Sequence, residues 1–181
     1  MFKIADSYQL TAVSWYSSMR AGVYLHIPFC KSRCSYCDFA TDVYKSSEVV
    51  DRYVDALTAE ILAFQHEKNP PADAGGSDVH RDVDTIYFGG GTPSMLAPNQ
   101  VEKILNAVEA KFSFGRHSEV TMEMNPATVT LESLKEYRSL GVNRASFGVQ
   151  TFDDTELKRL ARGHNADDAR MTFRLLRDAG F

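Results

Sequence analysis

The chain has 181 residues, a formal charge of −4 and 44% hydrophobic residues, enough for one domain or part of one with a sizeable core. That charge excludes the basic footprint of a nucleic-acid binder, and no apolar run is long enough to span a membrane. The cysteines, Cys30, Cys34 and Cys37, are odd in number and clustered, which fits a thiolate ligand set in the cytoplasm better than a disulfide framework.

Residues 1–20 are mixed polar and aromatic with no apolar h-region, so they read as an irregular lead-in and not as a secretory signal. Their single acid, Asp6, and several Ser and Thr leave an organelle transit segment as the lesser alternative. The domain proper is expected over 21–181. Its first strand is Val23–Ile27, closed by Pro28. The cysteine loop follows, to about Tyr44. A helix is expected from Glu48 to His66, because Val50, Tyr53, Val54, Leu57, Ile61 and Phe64 recur at helical spacing. Asn69–Ser77 is a loop by composition.

The second strand, Thr85–Phe88, runs into Gly89-Gly90-Gly91-Thr92-Pro93. Pro98 suits the start of the next helix, where a missing N–H costs nothing. Val101, Ile104, Leu105, Val108 and Phe112 give that helix one apolar face. A third strand is Glu119–Met124, stopped by Asn125-Pro126. Leu134, Tyr137 and Leu140 mark a helix from about Leu131, with Gly141 as its cap. The fourth strand is expected over Asn143–Gln150. Asp153-x-x-Glu156 resembles a capping box. The last helix is Ala166–Asp178, burying Phe173, Leu175 and Leu176, with Gly180 after it.

Strand and helix thus alternate four times, which implies an α/β fold with a parallel sheet. A complete eight-unit barrel needs about 250 residues, so the expectation is a truncated (β/α) barrel that lacks its C-terminal strands. The open edge of the fourth strand would then need covering.

The cysteines carry the chemistry. C-x3-C-x2-C can hold three irons of a [4Fe–4S] cluster and leave the fourth open. Two alternatives stand beside it. One is a zinc site with His26 as fourth ligand, although structural zinc usually draws ligands as two separated pairs. The other is three core cysteines on one helical face, against which Pro28 and the polar Lys31-Ser32-Arg33 weigh. The glycine run lacks the Lys-Ser/Thr ending of a phosphate loop. Glu123 ends a strand at the face where such barrels do their work; a salt-bridged barrel residue is the alternative. Ser146, Gly148 and Gln150 would share the lumen side of the fourth strand.

Tyr24-Leu25-His26-Ile27-Pro28-Phe29-Cys30, with Cys34, Cys37, Asp38 and Phe39, resembles the opening of the radical S-adenosylmethionine (SAM) superfamily. More narrowly, it is similar to the oxygen-independent coproporphyrinogen III oxidase-like group. The resemblance runs over about residues 22–180, through Tyr87–Ser94, Glu123–Pro126, Gly141–Phe152 and Leu160–His164. It implies a [4Fe–4S] cluster on Cys30, Cys34 and Cys37, with SAM on the open iron. One electron would then split SAM into methionine and a 5′-deoxyadenosyl radical. It implies SAM contacts at Tyr24, Tyr36, Gly90, Gly91, Thr92, Glu123, Gln150 and Arg162. Plain core is the alternative for Tyr24, and a solvated helix-end cation for Arg162. His26 reads as a structural histidine with a satisfied ring before a haem ligand.

One position departs from the oxidases. They usually carry a fourth cysteine two residues after the third, where this chain has Phe39. Asp38-Phe39 resembles the sister branch of haem chaperones, which bind haem and pass it to other proteins. The resemblance therefore implies haem or porphyrin as ligand, haem-accepting proteins and a one-electron donor as partners, and porphyrinogen oxidation as the alternative activity.

Overall fold

The computed structural model describes residues 3–4, 21–64, 83–115 and 117–181. The expected loop Asn69–Ser77 and the end of the first expected helix at His66 lie outside them. So does most of the expected lead-in. Lys3–Ile4 (β1) is described, and it pairs antiparallel with Ala21–Ile27 (β2). Part of the stretch expected to be irregular therefore adds an edge strand.

The sheet is built on β2. Val83–Gly90 (β5) lies parallel beside it, with Tyr24 opposite Tyr87 and His26 opposite Gly89. Glu119–Met124 (β6) and Arg144–Phe147 (β7) continue it in parallel, giving the order β1-β2-β5-β6-β7. Parallel neighbours need crossovers, and helices supply them. Ser47–Ala63 (α1) links β2 to β5, Pro98–Glu109 (α2) links β5 to β6, and Leu131–Ser139 (α3) links β6 to β7. This is the expected α/β order, laid out here as an open sheet.

One face of the sheet is apolar. Val23, Leu25 and Ile27 of β2, Ile86 and Phe88 of β5, and Val120, Met122 and Met124 of β6 are all buried. They join Val50, Val54, Leu57 and Ile61 of α1, and Val101, Ile104 and Val108 of α2, in one core. Each such side chain contributes about 1.5–3 kcal/mol by leaving water. Leu134 and Tyr137 of α3 close the next stretch. Pro98 opens α2, and the Gln100 side chain accepts from the Ala97 N–H at 2.8 Å. Gly141 and Gly180 take positive φ after their helices.

Three expectations are corrected. β7 ends at Phe147 and does not reach Gln150. The Gly148 carbonyl accepts from Arg162 in place of a strand partner, and Gln150 turns to φ +66. On Ala166–Asp178 (α5), Phe173 is 55% exposed. The buried stripe there is Ala169, Thr172 and Leu176, and position 173 lies about 100° round the helix from Thr172. At Asp154–Arg159 (α4), Asp153 caps the N–H groups of Thr155 and Glu156. Glu156 does not return the bond; it accepts from the Thr151 hydroxyl instead.

The cysteine loop is closed at its base. Phe29–Cys30 (β3) pairs with Asp42–Val43 (β4). The Asp42 N–H donates to Pro28 O at 2.7 Å and the Tyr44 N–H to Cys30 O at 2.8 Å. Residues 31–41 therefore leave and rejoin the sheet at one point, next to the C-terminal end of β2.

Candidate active site

The strand ends decide where the site falls. β2, β5 and β6 run in one direction, so the segments that follow them emerge at one rim. After β2 comes the cysteine loop, after β5 the glycine turn, after β6 Asn125-Pro126. Between them lies a cavity of about 260 Å³. Cys30, Cys34, Cys37 and Tyr36 face it from the loop, Gly90 and Gly91 from the turn, and Glu123 from the end of β6. Gln150 and Arg162 also line it. Residues scattered from 30 to 162 thus share one space. A second cavity, about 360 Å³ and lined by Val83, Ser113, Phe114 and Ser118 among others, sits by the start of β5 and holds no thiol.

The glycine turn is packed tightly against the cysteine loop. The Gly91 N–H donates to Ile27 O at 2.8 Å and the Thr92 N–H to Phe29 O at 2.7 Å. A Cβ on Gly91 would sit 2.7 Å from that Phe29 carbonyl, so only glycine fits. Gly90 adopts φ +112, and a Cβ there would strike the His26 ring at 2.7 Å. The glycines let protein approach protein; the cavity comes with that arrangement. The Gly90 N–H donates to Glu123 Oε2 at 3.1 Å, and the Tyr87 hydroxyl donates to Oε1 at 2.7 Å. Burial, then the bond to Glu123, pushes the Tyr87 phenol up to about 12. Glu123 is thus a carboxylate aimed at the cavity with both oxygens already oriented.

Arg162 ties the rim together. Nη1 lies 3.3 Å from Cys34 Sγ and 3.3 Å from the Tyr36 hydroxyl. Nη2 donates to Asn125 Oδ1 at 2.7 Å and to Gly148 O at 2.8 Å. Its Nε is buried without a partner. Burial raises the Cys30 thiol above its ordinary value, and the Thr92 hydroxyl 3.6 Å away offsets only part of that rise. Cys37 Sγ is 4.0 Å from Thr41 Oγ1. Arg162 thus donates to Cys34 and Thr92 to Cys30, while Thr41 lies near Cys37. Among the described residues no three His, Cys, Asp or Glu side chains already stand grouped as a metal-ligand set. What the loop offers is three free thiols along one wall of one cavity. Soft thiolate donors of that number suit an iron–sulfur group, and the orphaned Arg162 Nε leaves a donor over for an anionic neighbour.

Two expected site residues stand back from the cavity wall. Tyr24 reaches His26 Nδ1 at 3.2 Å and stacks on Tyr87 with ring centroids 6.0 Å apart. Thr92 is 1% exposed and spends its hydroxyl on Cys30 and Asn125. The His26 ring is used at both nitrogens, since Nε2 also bonds Ala40 O at 2.8 Å. Sequence reading passed over Tyr87, Asn125 and Ser35. Tyr87 was legible in principle: two residues before Gly89, it shares the face that carries His26 across the ladder. Asn125 stops a strand and falls in the Glu123–Pro126 block of the resemblance, but nothing in its sequence neighbourhood gives it a contact at the site. Ser35 binds the end of α4, its N–H to Leu160 O at 3.1 Å and its hydroxyl to Arg159 O at 3.2 Å. Only folding brings those together.

A parallel βα sheet brings three thiols, a glycine turn and a strand-end carboxylate to one rim, as a radical SAM core would. The model of the radical SAM superfamily matches residues 24–181, and the chain belongs to that superfamily. Within it, the chain is 38% identical over 158 residues to the Escherichia coli protein named heme chaperone HemW, covering 87% of this chain and 39% of that protein. The Bacillus subtilis protein of the same name is 38% identical over 159 residues, with 87% and 39% covered. A Bos taurus protein, radical S-adenosyl methionine domain-containing protein 1, mitochondrial, is 39% identical over 156 residues, with 86% and 33% covered. The solved structure of coproporphyrinogen III oxidase (HemN) from Escherichia coli, a radical SAM enzyme by its description, matches with a TM-score of 0.72. It is 30% identical, and the match covers 87% of this chain and 34% of that one. The chain spans about two fifths of the length of the HemW proteins it matches. Among the described residues no helix is long and apolar enough to cross a membrane.

Proposed function

We propose that this chain is the cluster- and SAM-binding part of a haem-chaperone-type radical SAM protein. The observation that carries the proposal is the single cavity shared by Cys30, Cys34, Cys37, Glu123 and Arg162. In this reading the three thiolates hold a [4Fe–4S] cluster. With SAM bound, that group supplies reductive cleavage to a 5′-deoxyadenosyl radical.

The chain's own residues bind and orient. Glu123 accepts from the ribose hydroxyls of SAM, its carboxylate held in place by Tyr87 and Gly90. Arg162 and Gln150 also line the cavity, where they meet the anionic end of the ligand. Gly90 and Gly91 present backbone to it, and Tyr36 supplies an aromatic edge 49% exposed. Thr92 and Tyr24 act from behind the wall, Thr92 on Cys30 and Tyr24 on His26. Reduced thiols at the site fit a reducing compartment such as the cytoplasm.

Haem is the proposed cargo, haem-accepting proteins its recipients and a one-electron donor the further partner. Phe39 supports this branch over the oxidase: it faces the cavity with 66% exposure where the oxidases usually carry a fourth cysteine. Haem titration of the anaerobically reconstituted protein is the test. Saturable binding is expected, and its absence sinks the chaperone reading. The alternative is porphyrinogen oxidation, favoured by the likeness to the HemN structure. Conversion of coproporphyrinogen III to protoporphyrinogen IX would establish it in place of the first.

A further inference from the structure

Cys30 and Cys34 are joined by one continuous hydrogen-bonded chain that runs along the cavity wall, with Thr92 behind it. It runs from Cys30 Sγ to Thr92 Oγ1 at 3.6 Å, and from Thr92 Oγ1 to Asn125 Nδ2 at 2.7 Å. Asn125 Oδ1 meets Arg162 Nη2 at 2.7 Å, and Arg162 Nη1 meets Cys34 Sγ at 3.3 Å. The direction of every bond follows from the donors available. Arg162 can only donate, so Asn125 must turn Oδ1 toward it. Nδ2 then faces Thr92 and donates to its oxygen. The Thr92 proton is left to point at Cys30 Sγ. Thr92 is 1% exposed, so water does not compete for that proton.

Asn125 is itself held still. Its backbone carbonyl accepts from the Thr128 hydroxyl at 2.6 Å and from the Thr128 N–H at 3.3 Å. Arg162 is fixed on its other side by Gly148 O. The arrangement is lopsided, because Cys37 has only Thr41 at 4.0 Å.

We infer that Asn125 is a positioning residue for the reduction potential of the cluster, because its amide leaves the Thr92 proton to Cys30 and holds Arg162 where it donates to Cys34. The inference rests on the cluster reading above. Uptake of one electron from a low-potential donor adds negative charge that the ligand sulfurs share. Hydrogen bonds aimed at those sulfurs stabilise the reduced form and raise the potential. Asn125 touches neither sulfur. It acts by deciding which way its two neighbours point.

The test uses the full chain, reconstituted anaerobically with iron and sulfide and kept free of SAM. The midpoint potential is read by electron paramagnetic resonance during titration with dithionite and viologen mediators. The Fe–S(Cys) stretching bands are compared in H₂O and D₂O by resonance Raman. The wild-type bands should shift on deuteration. Thr92→Val, the same shape without the O–H, should lower the potential and lose part of that shift, and Thr92→Ser should restore both. Asn125→Asp keeps the Arg162 contact but cannot donate to Thr92. The hydroxyl then turns to the carboxylate, and the deuteration shift falls as in Thr92→Val, which added charge alone would not cause. If Thr92→Val does not load, Asn125→Asp supplies the same two readings. A loaded cluster with potential and shift unchanged in these variants overturns the inference alone. Failure of the wild type to load iron and sulfide overturns the cluster reading and the inference together.

Discussion

Alternate residues of β2, β5 and β6 live in two different environments. Leu25, Phe88 and Met122 stand side by side on the helix-covered face, each fully buried. Tyr24 and Tyr87, one residue before each partner, stand on the other face and are half-buried. The first set has no polar atoms to satisfy and is held by shape and area alone. The second set is held by named bonds: Tyr24 to His26, Tyr87 to Glu123, Glu123 to Gly90. The strand backbone is common to both. One face therefore sets whether the chain folds, and the other sets what the rim can hold.

That division can be broken in order of expected effect. Cys34→Ser should abolish iron–sulfur loading, read as iron and sulfide per chain. The cluster-free stability should stay within about 0.5 kcal/mol of wild type in urea, because Cys34 packs on the loop and not in the core. A large stability loss there would join the two faces that the structure separates. Phe88→Ala should do the reverse. It should cost about 3–5 kcal/mol in urea denaturation through the cavity it leaves, and lose cluster only where the chain unfolds.

Glu123→Gln tests the polar face from within. The amide keeps the size but loses the charge-assisted bonds from Tyr87 and Gly90. SAM affinity by calorimetry should fall about tenfold, roughly 1.4 kcal/mol, with stability little changed. The Tyr87 phenol should titrate lower in that variant, since the Glu123 bond is one cause of its rise.

The smallest effects concern the tyrosines. Burial raises Tyr53, Tyr87 and Tyr137 from 10.0 to about 12. A raised phenol stays protonated in the folded chain while the unfolded chain ionises. The stability this contributes is complete below pH 10 and disappears as pH rises toward about 12. Urea midpoints measured across that window should fall steadily. Tyr137→Phe should cost about 1 kcal/mol at neutral pH by removing its bond to Leu96 O, and should flatten part of the alkaline fall.

Much of this was legible before folding. Strand β6 and helix α5 have the bounds that alternation and spacing indicate, because the signals that start and stop each element are local. The C-x3-C-x2-C run, the glycine turn and Glu123 each fall at a strand end, so sequence order alone puts them at one rim. Phe173 shows the limit. An apolar residue near a helical stripe looks buried until the neighbouring elements decide which 100° sector they cover.

Composition and period determined the α/β order, the apolar face and the three thiols, because these depend on residues a few positions apart. Tertiary structure alone decided how the thiols are addressed. Strand β7 ends at Phe147, short of Gln150, and Arg162 takes the Gly148 carbonyl just beyond it. Arg162 reaches Cys34 because α4 docks on Ser35. Asn125 becomes a bridge because Thr92 and Arg162 flank its amide. Those partners lie 33 and 37 residues from Asn125 in the chain. A hydrogen bond depends on direction within a few tenths of an ångström, which no spacing in a sequence encodes.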